Sequence, residues 1–175
     1  MNSNKSEKEK LAERAIFRAN SGLYFLDECL EHFHRGGTDA AFSRSLYILF
    51  SYNFELIIKS YLLLVSNKTK KEDLLKEIKS HNLEKLSKKF PAGVLKNICI
   101  KNIQKNNVFG FDQYEIEMIN GEKIIIQDFT DIRYDFEKDA LRGVDHNEAI
   151  TMKRWVDNLL EATKIIMKMV FVDKR

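Results

Sequence analysis

Four small groups of residues carry the side-chain chemistry of this chain. Glu55 and Lys59 stand one helical turn apart in an otherwise apolar run, glutamate first, the favourable order for a pair on one helix face. Charges in apolar surroundings are costly unless paired. The two are therefore read either as a structural network that fixes helix register or as a polar pocket for a nucleotide or RNA. His81-Asn82 offers an imidazole and an amide at a helix start, where such residues more often satisfy backbone groups than build a site. Arg133-Tyr134 joins a guanidinium suited to phosphate or carboxylate to a ring suited to packing. Arg142 and His146 place a permanent cation and a titratable base close to the start of the last helix, where backbone N–H groups favour anions.

Other chemistries find no matching pattern. His32 and His34 are two residues apart and so point to different helix faces, which argues against a shared metal. Cys29 and Cys99 lack metal or redox spacing and lie in apolar patterns, as reduced packing residues do. Phosphate-loop, zinc and Ser/His/Asp signatures are missing, and neither a cofactor nor a metal is expected.

Composition sets the frame for these groups. The 175 residues, 31% charged and 44% hydrophobic, describe one ordinary soluble domain large enough to bury a core. Seven glycines and one proline leave room for long helices. Residues 1–10 read as a flexible polar tail with no apolar core after it, so no secretory leader and a cytoplasmic location are expected. Net charge is only +3, but it is unevenly spread. Ser66 to Lys105 holds eleven lysines against four acids, and Asp112 to Asp139 holds nine acids against three cations. Such an arrangement suits a phosphate-facing surface beside a partner-facing one, or simply lysines solvating outer helix faces. No aromatics interleave with those lysines, so they form no stacking platform for single strands.

The elements that must position these groups follow from periodicity. Ala12, Ala15, Ile16, Ala19, Leu23, Leu26, Leu30 and Phe33 recur at three and four, giving one apolar helix face that Gly36-Gly37 ends. Thr38 or Asp39 caps the next helix, Asp39 to Val65, which is apolar nearly all round and therefore central and buried. Arg44, Glu55 and Lys59 argue against a membrane span there. Leu74, Leu75 and Ile78 predict a short helix, and Leu83, Leu86 and Phe90 another turn capped by Ser80 or Asn82. Val94, Leu95, Ile98, Cys99 and Ile103 suggest one more short helix. The period then changes to two, and Asn120-Gly121 between alternating runs predicts a two-residue hairpin turn over 112–128. That turn sets Ile116 opposite Ile125 and Glu117 opposite Ile124. Asp128 to Gly143 reads as strand or aromatic-anchored loop. Asp145 and Glu148 have capping-box form before a last helix with Ala149, Met152, Val156, Leu159, Thr163, Ile166 and Val170 on one face, widened by Trp155, Leu160 and Met167. The expected fold is mainly α, an up-and-down helical bundle over 11–175 with a small β-hairpin insertion.

Three stretches of this text resemble the HEPN (higher eukaryotes and prokaryotes nucleotide-binding) superfamily. Tyr52 to Leu64, with Glu55 and Lys59 one turn apart, is similar to that family's second helix. Ser80-His81-Asn82-Leu83-Glu84-Lys85-Leu86 is similar to its His-Asp-Leu…Leu start of the third, and Arg133-Tyr134 to an Arg-Tyr that precedes its final helix. The resemblance runs from about Leu11 to Val170, with the hairpin as an extra. It implies a packing in which Arg133 or His81 reaches Glu55 and Lys59.

In function, the resemblance implies a homodimer that is either a metal-independent ribonuclease or a non-catalytic RNA- or nucleotide-binding module. The second kind partners a nucleotidyltransferase or another protein in bacterial toxin–antitoxin or phage-defence systems. The ribonucleases use an Arg and a His with four to six residues between them, whereas Arg142 and His146 have three. Catalysis needs a base for the 2′-hydroxyl proton and a cation for the developing phosphate charge. With His146 in the first helical turn and Arg142 before the cap, the two need not converge. The binding or partner module is therefore the first expectation. A ribonuclease using Arg142 and His146 comes second, and a purely structural domain whose acidic hairpin docks a basic partner third.

Overall fold

Apolar side chains at three- and four-residue spacing between Ala12 and Leu30 give the first long helix one inner face, and six of them are fully buried there. The computed structural model describes residues 5–33, 40–108, 111–127 and 146–171. Within them, helix α1 is Glu7–Phe33, α2 Ala40–Val65, α3 Lys71–Glu77, α4 Leu83–Ser87 and α5 His146–Phe171. A short 3-10 helix, Val94–Ile98, leads into strands β1 Ile100–Val108, β2 Phe111–Met118 and β3 Lys123–Gln127. The described chain is mainly helical with a small three-stranded antiparallel sheet, ordered β1-β2-β3.

Helix α1 starts four residues ahead of the expected tail boundary. Ser6 and Glu9 close a reciprocal cap: the Ser6 backbone N–H donates to Glu9 Oε2 at 2.8 Å, and the Glu9 N–H donates to Ser6 Oγ at 3.4 Å.

Contacts along α1 fix the direction of its neighbours. Lys8 Nζ donates to the Leu64 carbonyl near the end of α2, while Gly22 faces Asn53 near its middle. A Cβ on Gly22 would stand 2.2 Å from Asn53 Oδ1, so any larger residue there would have to displace the buried Asn53 side chain. On the other flank Lys5 lies over the Phe171 ring, Thr163 Oγ1 donates to Asn20 Oδ1, and Lys153 pairs with Asp27 and Glu31. Helix α1 thus runs antiparallel to both α2 and α5.

Helix α2 is buried on nearly every side, packing against α1, α4, α5 and β3. Its Ser45–Val65 stretch is long and apolar enough to cross a membrane by length and composition, but here it is the core helix of the fold.

Two departures from the periodicity concern the sheet. The hairpin loop has three residues, not two: Met118 N–H donates to Glu122 O, Gly121 N–H donates to Met118 O, and Gly121 takes φ +85°. Register therefore moves by one, pairing Ile116 with Ile124 and Glu117 with Lys123. The gain is burial. Ile124 and Ile126 both face the core with Tyr114, Ile116 and Met118, where the expected register would have turned Ile125 inward instead.

The second departure is β1, which replaces most of the expected short helix after Val94. The 3-10 turn stops at Cys99, whose φ of +64° ends helical geometry. A bulge then follows: Ile100 pairs with Met118 and Asn102 with Glu117, leaving Lys101 as the extra residue. That extra residue puts Ile100 and Ile103 on the same buried face at a spacing of three, which in the bare sequence mimics a helix. The insertion is accordingly a three-stranded sheet and not a lone hairpin.

Candidate functional site

Helix α2 carries Glu55 and Lys59 on one face, and the link after α3 brings His81 across it. Lys59 Nζ lies 2.6 Å from Glu55 Oε1, and His81 Nδ1 lies 3.0 Å and 3.2 Å from Glu55 Oε1 and Oε2. Glu55 is only 3% exposed, Lys59 is largely covered, and the His81 side chain is 57% exposed. The cluster thus runs from core to solvent, with the acid innermost and the imidazole outermost. A carboxylate can only accept, so the His81 Nδ1 hydrogen points inward to Glu55.

Local sequence explains why His81 sits there. Asn82 caps α4, its Oδ1 accepting from Lys85 N–H at 2.8 Å, and its own N–H donates to Ser80 Oγ at 3.1 Å. Leu83 and Leu86 then bury α4 beside α2, which clamps the loop just ahead of it. Asn82 therefore spends its amide oxygen on the backbone, as helix-start residues usually do, while His81 spends one nitrogen on the core. A second anchor follows along α2, where the Tyr61 hydroxyl donates to the Val94 carbonyl at 3.1 Å and its ring stacks on Phe90 at 5.6 Å. Burial raises the Tyr61 phenol above its ordinary value, opposed in part by a hydrogen bond with Asn97.

The sequence on either side of His81 is rich in lysine. Lys70, Lys71, Lys76, Lys79, Lys85 and Lys96 are exposed and form no ion pair among the described residues. The sheet behaves differently. There Glu117 pairs with Lys101, Asp112 with Lys105, Glu115 with Lys123, and Glu122 accepts from Asn158. Four of the nine acids counted between Asp112 and Asp139 are thus engaged within the chain itself. Sequence reading alone saw the lysine excess but not which lysines keep a partner.

Arg133, Tyr134 and Arg142 lie outside the described residues, as do the Thr38/Asp39 cap, the Gly36-Gly37 stop and Asp145. His146 is the first residue of α5, as the capping text predicts, and its side chain lies outside the described residues. The structure therefore brings together Glu55, Lys59 and His81, with Asn82 beside them. Among the described residues no group of three His, Cys, Asp or Glu side chains is placed to hold a metal ion. Sequence reading missed one surface altogether: Phe17, Tyr24 and Phe25 stand exposed on the outer side of α1. The available signal was three large aromatics falling off the apolar stripe of that helix. Comparison with protein-family models, curated proteins and solved structures returns no match.

Proposed function

We propose that this chain is a HEPN-like up-and-down bundle acting as a cytoplasmic RNA- or nucleotide-binding module, with its ligand at the exposed edge of His81. One observation carries the reading: an imidazole anchored through Nδ1 on the buried Glu55 carboxylate, its side chain still 57% exposed, in a stretch of sequence whose Lys79 and Lys85 form no ion pair among the described residues. A nucleotide phosphate needs cations that are not already neutralised, and a ring held from behind presents a fixed hydrogen-bonding edge. The resemblance of Tyr52–Leu64 and Ser80–Leu86 to the second and third helices of that superfamily supports the same grouping. Membership of a toxin–antitoxin or phage-defence pair, with a nucleotidyltransferase-type partner, belongs to this proposal.

The test is fluorescence anisotropy of the full chain with labelled single-stranded RNA and with nucleotides, over a range of salt. Binding should weaken steeply with salt, and His81→Ala and a Lys79→Ala/Lys85→Ala variant should each lower affinity about tenfold without unfolding the chain. Absence of binding at low salt by folded protein would refute the module.

A ribonuclease is the second reading, favoured by the same carboxylate-held imidazole, which has the form of a general base. It requires chelator-resistant cleavage of RNA. Loss of cleavage in His81→Ala would assign the base to that site, whereas loss in His146→Ala and Arg142→Ala would assign it to the start of α5.

A further inference from the structure

The outer face of α1 is unlike the rest of that helix in two respects. Phe17, Tyr24 and Phe25 are 60%, 51% and 63% exposed, although they are large and apolar. The charges between them also stand apart. Elsewhere on α1, Glu7 pairs with Lys10, Glu13 with Lys5, and Asp27 and Glu31 with Lys153, while Lys8 and Glu9 hydrogen-bond to Leu64 and Ser6. Arg14, Arg18 and Glu28 alone among its Arg, Lys, Asp and Glu residues form no ion pair or side-chain hydrogen bond among the described residues.

These residues are arranged symmetrically about Ser21. Arg14 and Glu28 are each seven residues from it, about 10 Å along the axis in opposite directions. Phe17 and Phe25 are each four residues away, and Arg18 and Tyr24 each three. At about 100° per residue, Phe17, Tyr24 and Glu28 fall on one flank of the line through Ser21, and Arg14, Arg18 and Phe25 on the other. From this we infer that α1 pairs with α1 of a second copy of the chain, antiparallel, about a twofold axis at Ser21.

The operation brings like flanks together. Phe17 of each copy meets Tyr24 of the other and Arg18 meets the ring of Phe25, while Arg14 and Glu28, each only about 20° from the central line, meet across it at both ends. Aromatic contact, cation–π contact and opposite charge thus each occur twice, as an isologous interface demands. Ser21 is small enough to let the axes approach at the crossing point. At roughly 200 Å² per aromatic side chain, the three rings expose on the order of 350 Å² per copy. With the arginine stems the pair approaches the ~1,000 Å² of a specific interface, so a dimer in the micromolar range is expected. The pairing uses no residue of the Glu55–Lys59–His81 site and stands or falls independently of its ligand.

Sedimentation equilibrium of the full chain up to about 300 µM reads this directly, since micromolar dimers are well populated there. Phe17→Glu should give a folded monomer, checked by circular dichroism and melting temperature. Arg14→Glu and Glu28→Arg should each weaken dimerisation about tenfold. Mixing these two proteins should restore it, because every charge contact in the heterodimer is again opposite. Wild-type protein monomeric throughout the range would overturn the inference, as would a dimer indifferent to Phe17→Glu or a charge-reversed mixture that stays weak. A monomeric wild type whose RNA affinity falls in Phe17→Glu would instead make this face a nucleic-acid surface.

Discussion

Glu55 and Glu117 are both glutamates paired with a lysine, yet one sits under α4 and the other on a sheet surface. Around Glu55 the core excludes water, so its carboxylate depends on Lys59 and His81 for the interactions that solvent would otherwise supply. Glu117 and Lys101 remain in reach of water and can exchange each other for it at little cost. The chemistry of the two pairs is alike, and burial alone decides that one is structurally indispensable and the other nearly dispensable. Burial also decides which can serve as a rigid anchor. An imidazole held on Glu55 keeps its position because that carboxylate has nowhere else to turn.

The sharpest way to break the comparison is Glu55→Ala, which strands the Lys59 ammonium in a largely covered position. A loss of about 3 kcal/mol is expected, seen as a melting temperature lower by about 10 °C. Replacing both partners, Glu55→Leu with Lys59→Met, should bring stability back to within about 1 kcal/mol of the parent. That double variant would separate the two roles of the cluster, because it stays folded while His81 loses its anchor. If it retains full RNA affinity, the cluster is structural only.

Tyr61 tests burial along the same helix with a smaller effect. Tyr61→Phe leaves the Val94 carbonyl without its donor and should lose about 1 kcal/mol at neutral pH. The folded state keeps the phenol neutral beyond its ordinary value of 10.0, and the unfolded chain ionises there first. The stability this group contributes is therefore present below about pH 10 and declines as pH rises through the folded value. Alkaline unfolding should accordingly be shallower in Tyr61→Phe.

Smallest of all is the surface pair. A double-mutant cycle on Lys101→Ala and Glu117→Ala should give a coupling below about 1 kcal/mol, shrinking further in high salt. A coupling as large as that at Glu55 would mean the sheet surface is covered by something else.

How far the sequence could be read depended on how local the cause was. The apolar faces of α1 and α5, the Asn82 cap and the all-round burial of α2 follow from spacing and side-chain type, and they stand where the text puts them. The sheet was legible as a hairpin but not in its register, because one αL glycine adds a loop residue and moves every partner. Strand β1 was hidden for a related reason: the bulge at Lys101 gives Ile100 and Ile103 the spacing of a helix. Of the candidate site, Glu55 and Lys59 announced themselves as charges in an apolar run. The arrival of His81 depended on how the chain turned between α3 and α4.

By itself, then, the sequence determined which faces would be buried and where most helices would begin, since both follow from interactions within a few residues. Tertiary structure decided strand register, which lysines lost their freedom to a carboxylate, and which imidazole met Glu55. Those outcomes rest on contacts between residues far apart in the chain, such as Glu55 with His81 and Lys101 with Glu117, and only the packed core selects among the partners that composition allows.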